Sequence, residues 1–112
     1  MGEIFRMINL VNMKDYVETD LDELFENGVH ILKFYKDGCA PCQEVTNELN
    51  GLFFDDRANA TIYSVNVKEC PEVAGEFTVF SVPSLVFIKD GEEYHRHHGT
   101  ITKEQVLELA NK

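Results

Sequence analysis

Along this chain the spacing of apolar side chains switches repeatedly between the period of a strand and that of a helix. Ile8, Leu10 and Val11 suggest a short first strand. Thr19-Asp20-Leu21-Asp22 sets a capping hydroxyl three residues before a carboxylate, and Leu21, Leu24 and Phe25 line one face of a helix that Gly28 stops. His30 to Lys36, HILKFYK, is dense in β-formers, as expected of an interior strand covered on both faces. Val45, Leu49, Leu52 and Phe53 recur at i, i+4, i+7 and i+8, which predicts an amphipathic helix starting near Ala40 or Pro41. Residues 60–67, ATIYSVNV, read as a third strand, and residues 71–77 leave room only for a short helix weakened by Gly75. Ser84 to Ile88 leads through Lys89-Asp90-Gly91-Glu92 into a second extended run, Glu93 to His98, the pattern of a hairpin. Thr102-Lys103-Glu104-Gln105 is a capping box for a closing helix with Val106, Leu107, Leu109 and Ala110 on its apolar side.

The predicted order is β-α-β-α-β-α-β-β-α. Alternating βαβ units imply a parallel core with right-handed crossovers, and the terminal hairpin adds antiparallel strands, so the fold class is α/β with a central mixed sheet sandwiched by helices. The chain of 112 residues fits one domain, residues 1–112, with residues 1–7 a loose N-terminal extension and Met7 an alternative start. Its 44% hydrophobic and 27% charged content is that of a globular protein. A formal charge of −10 repels phosphate backbones and anionic membrane surfaces, which argues against nucleic acid as a ligand. No apolar run reaches the roughly 18–20 residues of a membrane span, and Arg6, Asn9 and Asn12 interrupt any signal-like stretch at the start. Gly2 lacks the hydroxyl residue that a myristoylation pattern wants at position 6, and Asn59-Ala60-Thr61 matches a glycosylation acceptor only by chance in a chain with no export signal.

The chemistry concentrates in Lys33 to Val45, KFYKDGCAPCQEV. Cys39 and Cys42 stand two residues apart where a strand pattern gives way to a helical one. The three cysteines of the chain cannot all pair internally. A lone CxxC in a reducing compartment reads as redox-active or metal-binding. A helix N-terminus presents unpaired N–H groups and a partial positive charge, so Cys39 should titrate below a free cysteine. Pro41 lacks an N–H and has a fixed φ, which suits a first helical turn.

The chain resembles the thioredoxin family from about Asn9 to Lys112. Cys39-Ala40-Pro41-Cys42 is similar to the family's CGPC, Ser81-Val82-Pro83-Ser84 to its cis-proline loop and Lys89-Asp90-Gly91-Glu92 to its hairpin turn, while Gly99 falls where the family has a glycine before the last helix. The resemblance implies a thioredoxin fold and a protein dithiol–disulfide oxidoreductase, with Cys39 the attacking and Cys42 the resolving thiol. It implies further that the Val82–Pro83 bond is cis and leaves the Val82 backbone free to pair with an extended substrate. No bound cofactor and no metal is needed. The partners implied are protein disulfide substrates and a thioredoxin reductase or other dithiol donor, for a monomer in the cytoplasm.

Departures from the family pattern matter as well. The tryptophans that thioredoxins usually carry ahead of the motif are replaced by Tyr35 and Gly38, and the chain has no tryptophan. Lys33 stands where the family has a buried aspartate, and Ser64 where that aspartate's lysine neighbour would be. Strand alternation sends Ile31, Lys33 and Tyr35 to one face and Leu32 and Phe34 to the other. Lys33 then has three readings: an ammonium that stabilises thiolate, a desolvated neutral amine that takes the Cys42 proton, or a lysine that reaches water and does nothing chemical.

An alternative function is a binding module whose CxxC holds zinc or an iron–sulfur cluster between chains, or serves a non-catalytic interaction, although two cysteines supply half of the usual four ligands. Cys70 is a small buried residue or a regulatory thiol. His95 and His97 alternate to one face and His98 to the other, which disfavours a three-ligand site. Glu18, Asp20, Asp22, Glu23 and Glu26 form a solvated acidic face.

Overall fold

A computed structural model describes residues 9–12, 27–55 and 60–112. The helix expected between Thr19 and Gly28, its acidic face, the N-terminal extension and Asn59 lie outside the described residues.

Five strands form one mixed sheet: β1 (Asn9–Asn12), β2 (Val29–Tyr35), β3 (Thr61–Asn66), β4 (Ser84–Lys89) and β5 (Glu92–His98), in spatial order β1-β3-β2-β4-β5. β3 runs parallel to both β1 and β2, while β4 is antiparallel to β2 and to β5. Helices α1 (Ala40–Asn50), α2 (Pro71–Glu76) and α3 (Lys103–Ala110) complete the described elements. This is the thioredoxin fold.

The pleat explains the layers. β2 is buried along most of its length and sends alternate residues to two cores. Ile31 joins Ile62, Leu85 and Phe87 beneath Val45 and Leu49 of α1 and Val106 and Leu107 of α3. On the other side Leu32 and Phe34 join Tyr63, Val65, Val86 and Ile88 against Val73 and Ala74 of α2. Buried polar groups on that side are satisfied internally. His30 lies between the Asn27 carbonyl, 2.7 Å from Nε2, and the Tyr63 hydroxyl, 2.8 Å from Nδ1. A carbonyl can only accept, so Nε2–H donates to Asn27, and Nδ1 shares a hydrogen bond with the Tyr63 hydroxyl.

Two details depart from simple periodicity. The apolar spacing runs through Phe53, yet the α-helix ends at Asn50 and a 3₁₀ turn, Gly51–Phe54, carries Leu52 into the core. Gly51 is a poor helix former, and tightening the last turn lets the chain bend while Leu52 stays buried. In β5 the register shifts between Phe87 and Ile88 of its partner, leaving Tyr94 as an extra residue. The hairpin turn places Asp90 at φ 51° and Gly91 at φ 91°, the two left-handed positions of a tight hairpin. The capping box forms as expected: the Thr102 hydroxyl accepts from Gln105 N at 3.2 Å and the Gln105 side chain accepts from Thr102 N at 3.0 Å. No helix among the described residues is long and apolar enough to cross a membrane.

Candidate active site

The loop after β2 turns at Gly38, whose φ of +72° is a left-handed conformation that a side chain would strain. Cys39 follows in an extended conformation and is the N-cap of α1. Its Sγ accepts from Cys42 N at 3.2 Å and its carbonyl accepts from Gln43 N at 3.1 Å, so the sulfur takes the place of the usual capping oxygen. Pro41 sits in the first turn, where its missing N–H leaves no partner waiting. No acidic side chain occupies that turn, so the partial positive charge of the helix end is left to the sulfurs.

Cys39 and Cys42 are joined by a disulfide with Cα atoms 5.2 Å apart. The two sulfurs are not equivalent. Cys39 is half-buried at the mouth of a cleft, whereas Cys42 is 4% exposed and faces inward. The cleft, of about 610 Å³, is lined by Lys33, Tyr35, Cys39, Cys42, Thr46 and Ser64 among others.

Lys33 points from the middle of β2 toward α1, opposite to Leu32 and Phe34, as strand alternation requires. The residue is 7% exposed. Its Nζ donates to Thr46 Oγ1 at 3.0 Å and lies 5.1 Å from the centre of the Tyr35 ring. Burial pushes its pKa below the ordinary lysine value, because desolvation penalises the charged form. The ammonium is thus tied to a helix hydroxyl and an aromatic face in the floor of the cleft. Ser64 is its partner in register on β3.

The second motif meets the first through the sheet. Antiparallel pairing sets Ser84 opposite Phe34, so the loop before β4 emerges at the same end as the loop after β2. The Val82–Pro83 bond is cis. Ser84 Oγ donates to Ser81 O at 2.7 Å, which leaves His98 Nδ1–H to donate to that hydroxyl across 2.9 Å. Gly99 N donates to Pro83 O at 2.9 Å. The carbonyls on either side of Val82 are therefore engaged, while Val82 itself makes no backbone hydrogen bond among the described residues. A second groove, about 380 Å³, runs between Lys36, Val67, Val79, Phe80, Ser81 and Val82. Phe80 on its rim is 92% exposed.

Sequence reasoning missed Thr46 and Phe80. Thr46 was detectable, since it lies four residues after Cys42 on the same helix face. Phe80 gave no periodic signal, because it belongs to an irregular loop. Cys70 keeps its thiol, buried with the α2-side cluster. The three histidines of β5 diverge: His95 packs edge-on to Phe87 with centroids 5.7 Å apart, His97 Nε2 donates to Thr100 O at 2.8 Å, and His98 bonds Ser84. Among the described residues no group of three or more His, Cys, Asp or Glu is placed to hold a metal ion.

Comparison with known proteins agrees with this geometry. The model of the thioredoxin family matches residues 9–112. A thioredoxin of Staphylococcus epidermidis is 33% identical over 95 residues, covering 85% of this chain and 91% of the staphylococcal one. The thioredoxin of Staphylococcus aureus is 32% identical over the same length. Among solved structures, a mutant thioredoxin of Halobacterium salinarum superposes with a TM-score of 0.75 at 25% identity, covering 99% of this chain and 94% of that one. The thioredoxin of Malassezia sympodialis gives 0.78 at 16% identity, covering 98% of this chain and all of that one, a likeness of fold alone.

Proposed function

Because the chain belongs to the thioredoxin family, a family of thiol–disulfide oxidoreductases, we propose that it reduces disulfides in protein substrates. The observation that carries this reading is the inequality of the two sulfurs, with Cys39 at the helix N-cap open to the cleft and Cys42 buried one turn along. In the reduced protein the Cys39 thiolate attacks one sulfur of a substrate disulfide. A Cys39–substrate bond forms, and the other substrate sulfur leaves as a thiolate and takes a proton. Cys42 then gives its proton to solvent and attacks Cys39 Sγ, which breaks the mixed disulfide and releases the second substrate thiol. Two electrons pass to the substrate, and the Cys39–Cys42 disulfide remains.

Val82 is the backbone against which an extended substrate segment pairs, and Pro83 fixes its direction. Recognition through main-chain groups tolerates many substrate sequences. The oxidised pair is returned to the dithiol by a thioredoxin reductase or another dithiol donor. The protein acts as a monomer in the cytoplasm, a reducing compartment consistent with the thiol of Cys70.

The test is insulin reduction driven by dithiothreitol. The wild type accelerates insulin precipitation, Cys39→Ser falls to background, and Cys42→Ser accumulates a mixed disulfide through Cys39. A wild type no faster than dithiothreitol alone refutes the reading. Metal analysis of freshly purified protein separates it from a module that holds zinc or an iron–sulfur cluster through the same cysteines.

A further inference from the structure

The floor of the cleft holds a cation with sparse compensation. Lys33 issues from an interior strand, is 7% exposed, and meets the Thr46 hydroxyl and the Tyr35 ring. A buried ammonium is costly unless something charged offsets it. Asp37, an exposed loop residue, is the one carboxylate lining the cleft among the described residues, and the exposed Lys36 beside it adds a second positive charge. From α1 the cleft receives Cys42, Gln43 and Thr46, and from β3 Ser64, so neither element sends it a carboxylate. Among the described lining residues, the groups that gain negative charge when the disulfide is reduced are the sulfurs of Cys39 and Cys42. They carry no charge while the disulfide holds.

Thr46 ties the amine to the helix of the cysteines. It follows Cys42 by four residues on α1, so the two side chains share one helix face. The 3.0 Å bond from Nζ to Thr46 Oγ1 therefore holds the ammonium on the face of α1 that carries Cys42, and Lys33 lines one cleft with both sulfurs. We propose that Lys33, moored by Thr46, is the counter-charge of the thiolate formed when the Cys39–Cys42 disulfide is reduced, and that this pair makes the disulfide a stronger oxidant than the helix end alone would. The proposal deepens the disulfide-exchange reading and rests on it. With glutathione as reductant, the disulfide and two glutathione thiols give a Cys39 thiolate, a Cys42 thiol, glutathione disulfide and one released proton. The ammonium stabilises the right-hand side and does little for the left. Thr46 is a positioning residue, acting only through Lys33.

The experiment equilibrates wild type, Lys33→Met, Lys33→Arg and Thr46→Val with glutathione buffers at pH 7 and reads the reduced fraction. Lys33→Met should lower the equilibrium constant for reduction about tenfold, equivalent to about 30 mV for a two-electron couple. Thr46→Val should move it the same way by about threefold, and Lys33→Arg, which keeps the charge, should stay nearer to wild type than Lys33→Met does. The gap between wild type and Lys33→Met should close as pH rises and the amine loses its proton. A Lys33→Met constant within twofold of wild type overturns the proposal, as does a Lys33→Arg constant equal to that of Lys33→Met. Should Lys33→Met fail to fold, Thr46→Val decides. Since this equilibrium is read on the cysteine pair itself, a protein inert toward insulin still reports it, which separates failure here from failure of the reductase reading.

Discussion

The two faces of the sheet are cut from the same strands but treat polarity in different ways. Against α2, the buried polar side chains His30 and Ser84 are each closed off by partners within the protein. Against α1, the row nearest the cysteines carries Lys33 beside Ser64, and the amine has a hydroxyl and a ring for company in a cleft open at Cys39. Polar side chains bonded inside a core serve the fold. A desolvated charge in the same cleft as a reactive pair costs stability, and its presence there points to chemistry. One strand supplies both, since Leu32, Lys33 and Phe34 alternate across the plane.

The largest test of this contrast truncates each core. Phe34 lies on the α2 side with its ring 6.1 Å from that of Phe77, and Phe87 lies on the α1–α3 side with its ring 6.2 Å from that of Tyr94. Both are fully buried. Phe34→Ala and Phe87→Ala should each lower unfolding free energy by about 3–5 kcal/mol in urea denaturation. Neither should displace the glutathione equilibrium of the folded fraction. If Phe34→Ala moved it as far as Lys33→Met, the two faces would not differ in kind.

A smaller test concerns the third thiol. Cys70 belongs to the α2-side cluster at 3% exposure, away from the cleft. Cys70→Ala removes one buried heavy atom and should cost about 1–2 kcal/mol. Insulin turnover per folded molecule should be unchanged. A fall in turnover would make Cys70 part of the redox chemistry and blur the line between the faces.

Much of this arrangement was legible in the sequence because it is local. The CxxC at a strand-to-helix switch, the Thr102 capping box, the Asp90-Gly91 turn and the alternation through Lys33 each depend on residues within a few positions of one another. What escaped depends on tertiary placement. The Lys33–Thr46 bond needs β2 and α1 in register, thirteen positions apart. The end of α1 at Asn50 is set by how Leu52 reaches the core, since the apolar spacing continues past it. The extra residue in β5 has no marker, because Tyr94 is as good a strand former as its neighbours. The exposure of Phe80 was not legible either, because it sits in an irregular loop.

The smallest expected effect is the most diagnostic, because its sign is opposite to the others. Lys33→Met exchanges a desolvated ammonium for an apolar chain of similar bulk, and such replacements are neutral or stabilising. At neutral pH the variant should be more stable than wild type by up to about 1 kcal/mol. The pH dependence follows from the direction of the Lys33 shift. Burial lowers its folded pKa, while in the unfolded chain a lysine titrates near 10.4. Below the folded pKa both states hold the proton and wild type bears the whole desolvation cost. Between the two pKa values the unfolded chain binds more protons than the folded one, so wild-type stability rises with pH and the cost is relieved. Groups common to both proteins cancel in the difference. Urea denaturation of the pair from pH 7 to about pH 10.4 should therefore show the advantage of Lys33→Met shrinking as pH climbs. A difference that stays flat across that range would mean the amine is as well solvated in the folded protein as in the unfolded chain, and the contrast between the two faces would reduce to shape.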